Sequence, residues 1–233
     1  MSSAPLFSDR IDAGEQLAQA ILVHLNQLTS TGFAATPIVY ALPRGGIPVA
    51  VPVARQLNCP LDIVVAKKIT LPQNPELAVG AVTSLGQVIW AKQRIYPNKK
   101  NTKLLETAQQ QAQEKAAVQL AQLASGRPQV SQGAIAKREG QIAILIDDGI
   151  ATGMTIAAAT LELKEQNPSQ IWICAPVAPP SLIKWLKKWS DQVIILQTPE
   201  PFWSVSRFYA EFPQVATQDA LMALQQYNLA HQP

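Results

Sequence analysis

The chain has few of the residues from which metal, redox and nucleic-acid sites are built. Two of its 233 residues are cysteine and two are histidine. Cys59 and Cys174 lie far apart among apolar neighbours, which fits buried free thiols in a reducing compartment rather than a disulfide framework. His24 and His231 have no ligand spacing, so zinc has no support. Charge is sparse too. Asp, Glu, Lys and Arg make up 15%, where soluble proteins carry about 25%. Gln and Ala fill the deficit and leave a surface rich in neutral polar groups. The net charge of +3 is too small to argue for a nucleic-acid partner but suits small anionic substrates. No apolar run is long enough to span a bilayer. The first residues lack a basic start followed by an apolar stretch, so no secretory signal is expected. These shortages leave a cytoplasmic protein without a membrane partner as the expectation.

What the chain does have is an apolar fraction of 48%, enough for a sizeable core. One domain over residues 1–233 is expected. Apolar residues at helical spacing predict a helix over 9–28, capped by Ser8 or Asp9. Thr36-Pro37 reads as a break before a short strand at 38–42, and an apolar helix covers 47–57. The next strand, LDIVVA, runs over 61–66 and ends at Lys67 and Lys68. Composition makes 69–76 a loop with Pro72 and Pro75 as breakers. A hairpin pairs 77–82 with 87–90. A polar helix at 101–125 and a flexible connection at 126–140 follow, within a segment 92–140 that looks peculiar to this chain. Beyond it come a strand ending at Ile146, a helix at 156–166, a strand at 171–177, a helix at 181–189 and a strand at 193–196. The tail, 198–233, is dense in aromatics. Alternating strands and helices predict an α/β fold with a mainly parallel sheet covered on both faces.

The segment ILIDDGIATGMT, residues 144–155, carries the most chemistry. An apolar strand stops at Asp147 and Asp148, a small-residue loop follows, and then a helix begins. Ligands of open α/β sheets bind at the carboxyl ends of strands, and a helix N-terminus is an anion site. The segment therefore offers two hydroxyl acceptors beside a phosphate cradle, as a sugar phosphate requires. ALPRGGIPVA, starting at Ala41, sits at another strand end. Arg44 offers a donor fork for phosphate, and Gly45 and Gly46 let a ligand approach the backbone closely, although a tight turn before a helix calls for glycine as well.

This order of motifs resembles the type I phosphoribosyltransferases. The resemblance implies their fold, a mainly parallel sheet with a small hood or tail, and binding of phosphoribosyl pyrophosphate (PRPP). Asp147 and Asp148 would hold the ribose hydroxyls. Gly149 and the loop Ala151, Thr152, Gly153, Met154, Thr155 would take the 5′-phosphate. Arg44, Gly45 and Gly46 would take pyrophosphate, in a loop that in the family often carries a strained peptide bond. Lys67 or Lys68 would contact pyrophosphate and lead into a mobile lid over 67–76. Glu76 is either a lid carboxylate acting on the nucleophile or an ordinary loop acid. Asp147, Asp148, Lys67, Arg44 and Glu76 are thus the candidate catalytic residues. No protein metal ligands are implied, because Mg²⁺ would ride mainly on PRPP.

The chain is similar more narrowly to bacterial phosphoribosyltransferases of unassigned substrate. They share ALPRGG (from Ala41), NPELAVGAV (from Asn74), DDGIATGMT (from Asp147), APVAPP (from Ala175) and TPEPF (from Thr198). Gly149 replaces the bulky residue that most type I enzymes place after the acidic pair. Ala151 stands where hypoxanthine-guanine enzymes carry an aspartate proposed as general base. The implied acceptor is a small nitrogen heterocycle, with Trp203 either its stacking partner or a packing anchor of the tail. A homodimer and a PRPP-sensing regulator without turnover remain open. For the regulator, 92–103 (KQRIYPNKKNTK) is the one basic stretch, and a solvated loop explains it equally. If the acidic pair holds PRPP, exchanging both Asp147 and Asp148 for Asn replaces charged acceptors by weaker neutral ones. Calorimetry should then show a large loss of PRPP affinity, and an unchanged affinity would remove the assignment.

Overall fold

The structure, a computed structural model, describes residues 5–33, 36–72, 74–91, 99–128 and 141–231. Five parallel strands form the main sheet: β1 (Thr36–Ala41), β2 (Leu61–Ile63), β6 (Gln141–Ile146), β7 (Gln170–Val177) and β8 (Gln192–Gln197), in the order β2-β1-β6-β7-β8. Their side chains alternate between two apolar layers, so the strands read as nearly continuous hydrophobic runs. Ile142, Ile144 and Ile146 of β6 face one layer, shared with α1 (Arg10–Ser30), α2 (Gly46–Leu57) and α6 (Thr217–Ala230). Ala143 and Leu145 face the other, shared with α4 (Met154–Lys164) and α5 (Pro180–Leu186). Asp9 caps α1, its carboxylate accepting from the backbone N–H of Ile11 at 2.7 Å and of Asp12 at 2.9 Å.

A second sheet is antiparallel: β3 (Ala66–Leu71), β4 (Asn74–Thr83) and β5 (Val88–Trp90). The turn joining β4 to β5 has Gly86 at φ +92°, and the expected hairpin is present. Two expectations fail here. LDIVVA is not one strand, because the chain leaves the parallel sheet after Ile63. Val64 N–H still reaches the Ala41 carbonyl at 3.1 Å, while the Val65 carbonyl accepts from Ser84 of the hairpin at 3.0 Å. Residues 69–76 are not an irregular loop either, since β3 and β4 pair through most of it with a register shift near Thr70. Pro72 and Pro75 fall at the turn and the strand start, where a missing N–H costs least.

The second sheet is backed by α3 (Lys99–Leu123), which comes from the segment 92–140. Leu105, Ala108 and Ala112 pack on Ile69, Val79 and Val82, and Ala116 and Leu123 reach the main core. The expected flexible connection falls largely at 129–140, outside the described residues. The tail contains a helix, α6, that its aromatic content does not announce, although Ala220, Leu224 and Tyr227 are buried at helical spacing. Thr36-Pro37 opens β1 instead of breaking the chain. The contact of α1 with α2 is tight at Gly14, where a Cβ would overlap the Val49 carbonyl oxygen and meet Pro52 Cγ at 2.5 Å. Backbone cannot yield as a side chain can, so Gly14→Ala should destabilise by about 1–3 kcal/mol despite its better helix propensity. Urea denaturation should show a lower midpoint with unchanged slope.

Candidate active site

The strand order places the site. Helices leave β1 and β6 toward opposite faces, and these two strands are neighbours, so a crevice opens at their carboxyl ends. Ala41 of β1 lies in register with Ile146 of β6, and Leu42 N–H donates to the Ile146 carbonyl at 2.8 Å. The loop Pro43, Arg44, Gly45 therefore faces the loop Asp147, Asp148, Gly149. The peptide between Pro43 and Arg44 is cis. A Cβ on Gly45 would overlap the Asp148 carboxylate, and one on Gly46 would lie 2.8 Å from the Ile146 carbonyl oxygen. Glycine at both positions is what lets the two loops touch.

The acidic pair is half-buried. Asp148 N–H donates to Asp147 Oδ1 at 2.9 Å, and Arg10 Nε donates to Asp148 Oδ2 at 2.8 Å. Arg10 in turn donates to the Pro213 carbonyl at 2.8 Å and lies over the Phe212 ring, 3.6 Å from its centre. Tyr209 donates its hydroxyl to the Asp148 carbonyl. Burial, and then the neighbouring Asp148 charge, push the Asp147 carboxyl well above the usual range. Burial raises Asp148 as well, with Arg10 pulling the other way.

A cleft of about 400 Å³ runs between these loops, and Arg10, Arg44, Gly45, Lys67, Asp148 and Phe212 line it. Arg44 donates to Thr217 Oγ1 on α6 at 3.1 Å. Burial, followed by the nearby Arg44 and Lys115 charges, lowers the pKa of Lys67. Because a strand alternates its faces, Lys67 points into the cleft and Lys68 is exposed and does not line it. Glu76 lies on β4, and its side chain is outside the described residues. Trp203 is 73% exposed and lines neither this cleft nor the one beside it.

The loop after the acidic pair leads into α4, whose N-cap residue Gly153 has φ +76° and supplies no side-chain acceptor. The first N–H groups of this eleven-residue helix therefore have no side-chain cap. Ala151 and Thr152 are exposed, and Met154 and Thr155 are half-buried. Gly149 has its own reason, since a Cβ there would overlap Val205 and lie 2.9 Å from Val177.

Sequence reasoning missed Arg10, Gln119 and Lys115. Arg10 carried a readable signal. It opens α1, where the helix dipole disfavours a cation, so it needed a carboxylate elsewhere. Nothing local marked Gln119 or Lys115, because their part depends on where α3 docks. Among the described residues no cluster of three or more His, Cys, Asp or Glu could hold a metal ion. The two adjacent carboxylates fit a hard cation that keeps most of its oxygen ligands from phosphate and water.

An acidic pair and a helix start without a side-chain cap thus meet at the switch point of a parallel sheet, where α/β proteins hold their ligands. The chain matches the phosphoribosyl transferase domain over residues 8–211 and belongs to that family. It is 33% identical over 223 residues to provisionally named phosphoribosyl transferases from two strains of Mycobacterium tuberculosis. That alignment covers 94% of this chain and 46% of the relatives, so the chain spans about half their length. It is also similar to the crystal structure of TT1426 from Thermus thermophilus, with 32% identity and a TM-score of 0.73 over 95% of this chain and 98% of the other.

The raised Asp147 pKa has a consequence for stability. The folded state holds this proton more tightly than the unfolded chain, so the stability it contributes is full below about pH 4 and lost as pH rises through the folded-state value. Asp147→Asn keeps the Oδ1 acceptor and removes the charge. The free variant should melt higher than the parent at pH 7, and the gap should close below about pH 4. Equal melting temperatures at pH 7 would show that Asp147 ionises at no cost.

Proposed function

We propose that this chain transfers the phosphoribosyl group of PRPP to a nitrogen nucleophile in the cytoplasm, releasing pyrophosphate. The observation that carries the reading is the touching of two loops at the switch point. One presents Asp147 and Asp148, and the other presents Arg44, with Lys67 across the same cleft. The bond from the anomeric carbon to pyrophosphate breaks with its electron pair leaving on oxygen, and a carbon–nitrogen bond forms. Positive charge grows on the ribose ring beside two carboxylates, while negative charge grows beside Arg44 and Lys67. Placing fixed charges where transition-state charge develops is the largest usual source of rate enhancement. The desolvated amine of Lys67 regains its proton affinity when the anion arrives. Bound Mg²⁺ would screen the pyrophosphate charge, held by phosphate oxygens with the acidic pair nearby. The first turn of α4 takes the 5′-phosphate. The acceptor is a small nitrogen heterocycle, with Phe212 the aromatic lining the cleft, Trp203 an exposed stacking candidate outside it and Glu76 a candidate to assist deprotonation.

One observation favours a second reading, a PRPP-binding regulator without turnover. Asp148 is already held by Arg10, so ribose binding would disturb the start of α1 and could be sensed there. The discriminating assay is pyrophosphate release from PRPP and Mg²⁺ over a panel of nitrogen heterocycles. Under the transferase reading one acceptor gives release, and Arg44→Ala lowers kcat/KM for PRPP by about 10²–10³-fold, as loss of one charge-stabilising donor does. The same variant should bind ribose 5-phosphate nearly as well as the parent. Tight PRPP binding with no release for any acceptor would instead select the regulator.

A further inference from the structure

Beyond Lys67 the first cleft opens into a second of about 530 Å³, and its far wall is α3. The two share Arg44, Lys67 and Gln119. One stripe of α3, at Leu105, Ala108, Ala112 and Ala116, is spent on packing. The adjacent stripe, at Gln111, Lys115, Gln119 and Gln122, repeats at helical spacing and faces the cleft. Lys115 therefore stands as a third cation beside Arg44 and Lys67, with Glu114 the one carboxylate on this wall. Gln119 is only 7% exposed, yet its Oε1 has no hydrogen-bond partner among the described residues. A buried acceptor without a donor is costly, and the residue that carries this one lines both clefts.

Pyrophosphate alone would satisfy the cations but offers no donor to Gln119. A hydrated magnesium pyrophosphate offers both, through its oxygens and the O–H groups of metal-bound water. We propose that α3 is the outer wall of the leaving-group site, with Lys115 binding a phosphoryl oxygen of magnesium pyrophosphate and Gln119 Oε1 accepting from water on the ion. This rests on the transferase reading and adds residues to it from a part of the chain that no sequence motif marks. The effect of the Lys115 charge on the protonation of Lys67 agrees with their sharing one anion. It also makes the cation count at the leaving group three without any movement of the hairpin β3-β4.

Calorimetric titration of the full chain with pyrophosphate, with and without Mg²⁺, tests the wall directly. Lys115 is exposed, so Lys115→Met should fold as the parent does. Its dissociation constant for pyrophosphate should rise about tenfold in both conditions, as loss of a charge-assisted bond implies. Lys115→Arg should restore it, and ribose 5-phosphate affinity should not change. Gln119→Met should weaken binding only when Mg²⁺ is present. Lys103→Met, on an exposed part of the same helix away from both clefts, is the control. If Lys115→Met binds pyrophosphate as the parent does, or loses no more affinity than Lys103→Met, α3 is not part of the site while the transferase reading stands. If the parent itself binds no pyrophosphate, both fall.

Discussion

The site depends on one close approach, the backbone of Gly45 against the carboxylate of Asp148. There is no room for a Cβ at Gly45, and almost none at Gly46 beside the Ile146 carbonyl. That contact follows from register. Ala41 and Ile146 end adjacent parallel strands at the same level, so the loops leaving them compete for the same space. Two glycines on one side allow two carboxylates on the other. The loop of Arg44 and the acidic pair are therefore one structural unit, although they lie far apart along the chain. A side chain at either glycine would have to displace the acidic pair.

Opposed charges then meet within that unit. Burial makes both carboxylates costly to ionise, and their proximity makes it worse for Asp147. Arg10 offsets part of this, yet its guanidinium is not spent on Asp148 alone. It is also held by the Pro213 carbonyl and the Phe212 ring. Taking away one member of a buried pair leaves the other uncompensated, so Arg10 and Asp148 are coupled structurally whatever binds between them. On the far side, Arg44, Lys67 and Lys115 bring like charges together, and through burial and then these neighbours Lys67 holds its proton less tightly. The free protein thus holds like charges close together on both sides of the cleft.

The sequence made much of this legible where the cause is local. Strands covered on both faces must be apolar throughout, and β6 and β7 read so. An acidic pair that ends such a strand, or glycines that open a helix, are visible in a few residues. The hairpin β4-β5 was legible from its turn. What failed required knowledge of neighbours. LDIVVA is apolar on both sides of Ile63, and nothing in it says that Val65 will pair with Ser84 instead of continuing beside β1. The prolines of 69–76 look like loop breakers until the strands are seen to turn between them. Lys67 and Lys68 were equivalent as a charged pair, and only the β3 register separates the one in the cleft from the one in solvent. The packing of α3 could not be anticipated because its Ala and Gln content fits an exposed helix as well as a wall.

The aromatic tail shows how the two ends of the described chain support the same point. Phe7 forms a parallel bridge with Tyr209, and Leu6 and Phe7 both donate to the Phe208 carbonyl, at 2.9 and 3.0 Å. Ala210 donates back to the Phe7 carbonyl at 2.8 Å. This short pairing places Tyr209 under the Asp148 carbonyl and Phe212 under Arg10. The 3-10 turn Val205–Phe208 that leads into it fills the space above residue 149 with Val205. A bulky residue at 149 would collide with that turn, so the glycine there and the tail aromatics are complementary parts of one arrangement. Tyr209 and Phe212 act on the acidic pair through the Asp148 carbonyl and Arg10, whereas Trp203 stands exposed outside this packing.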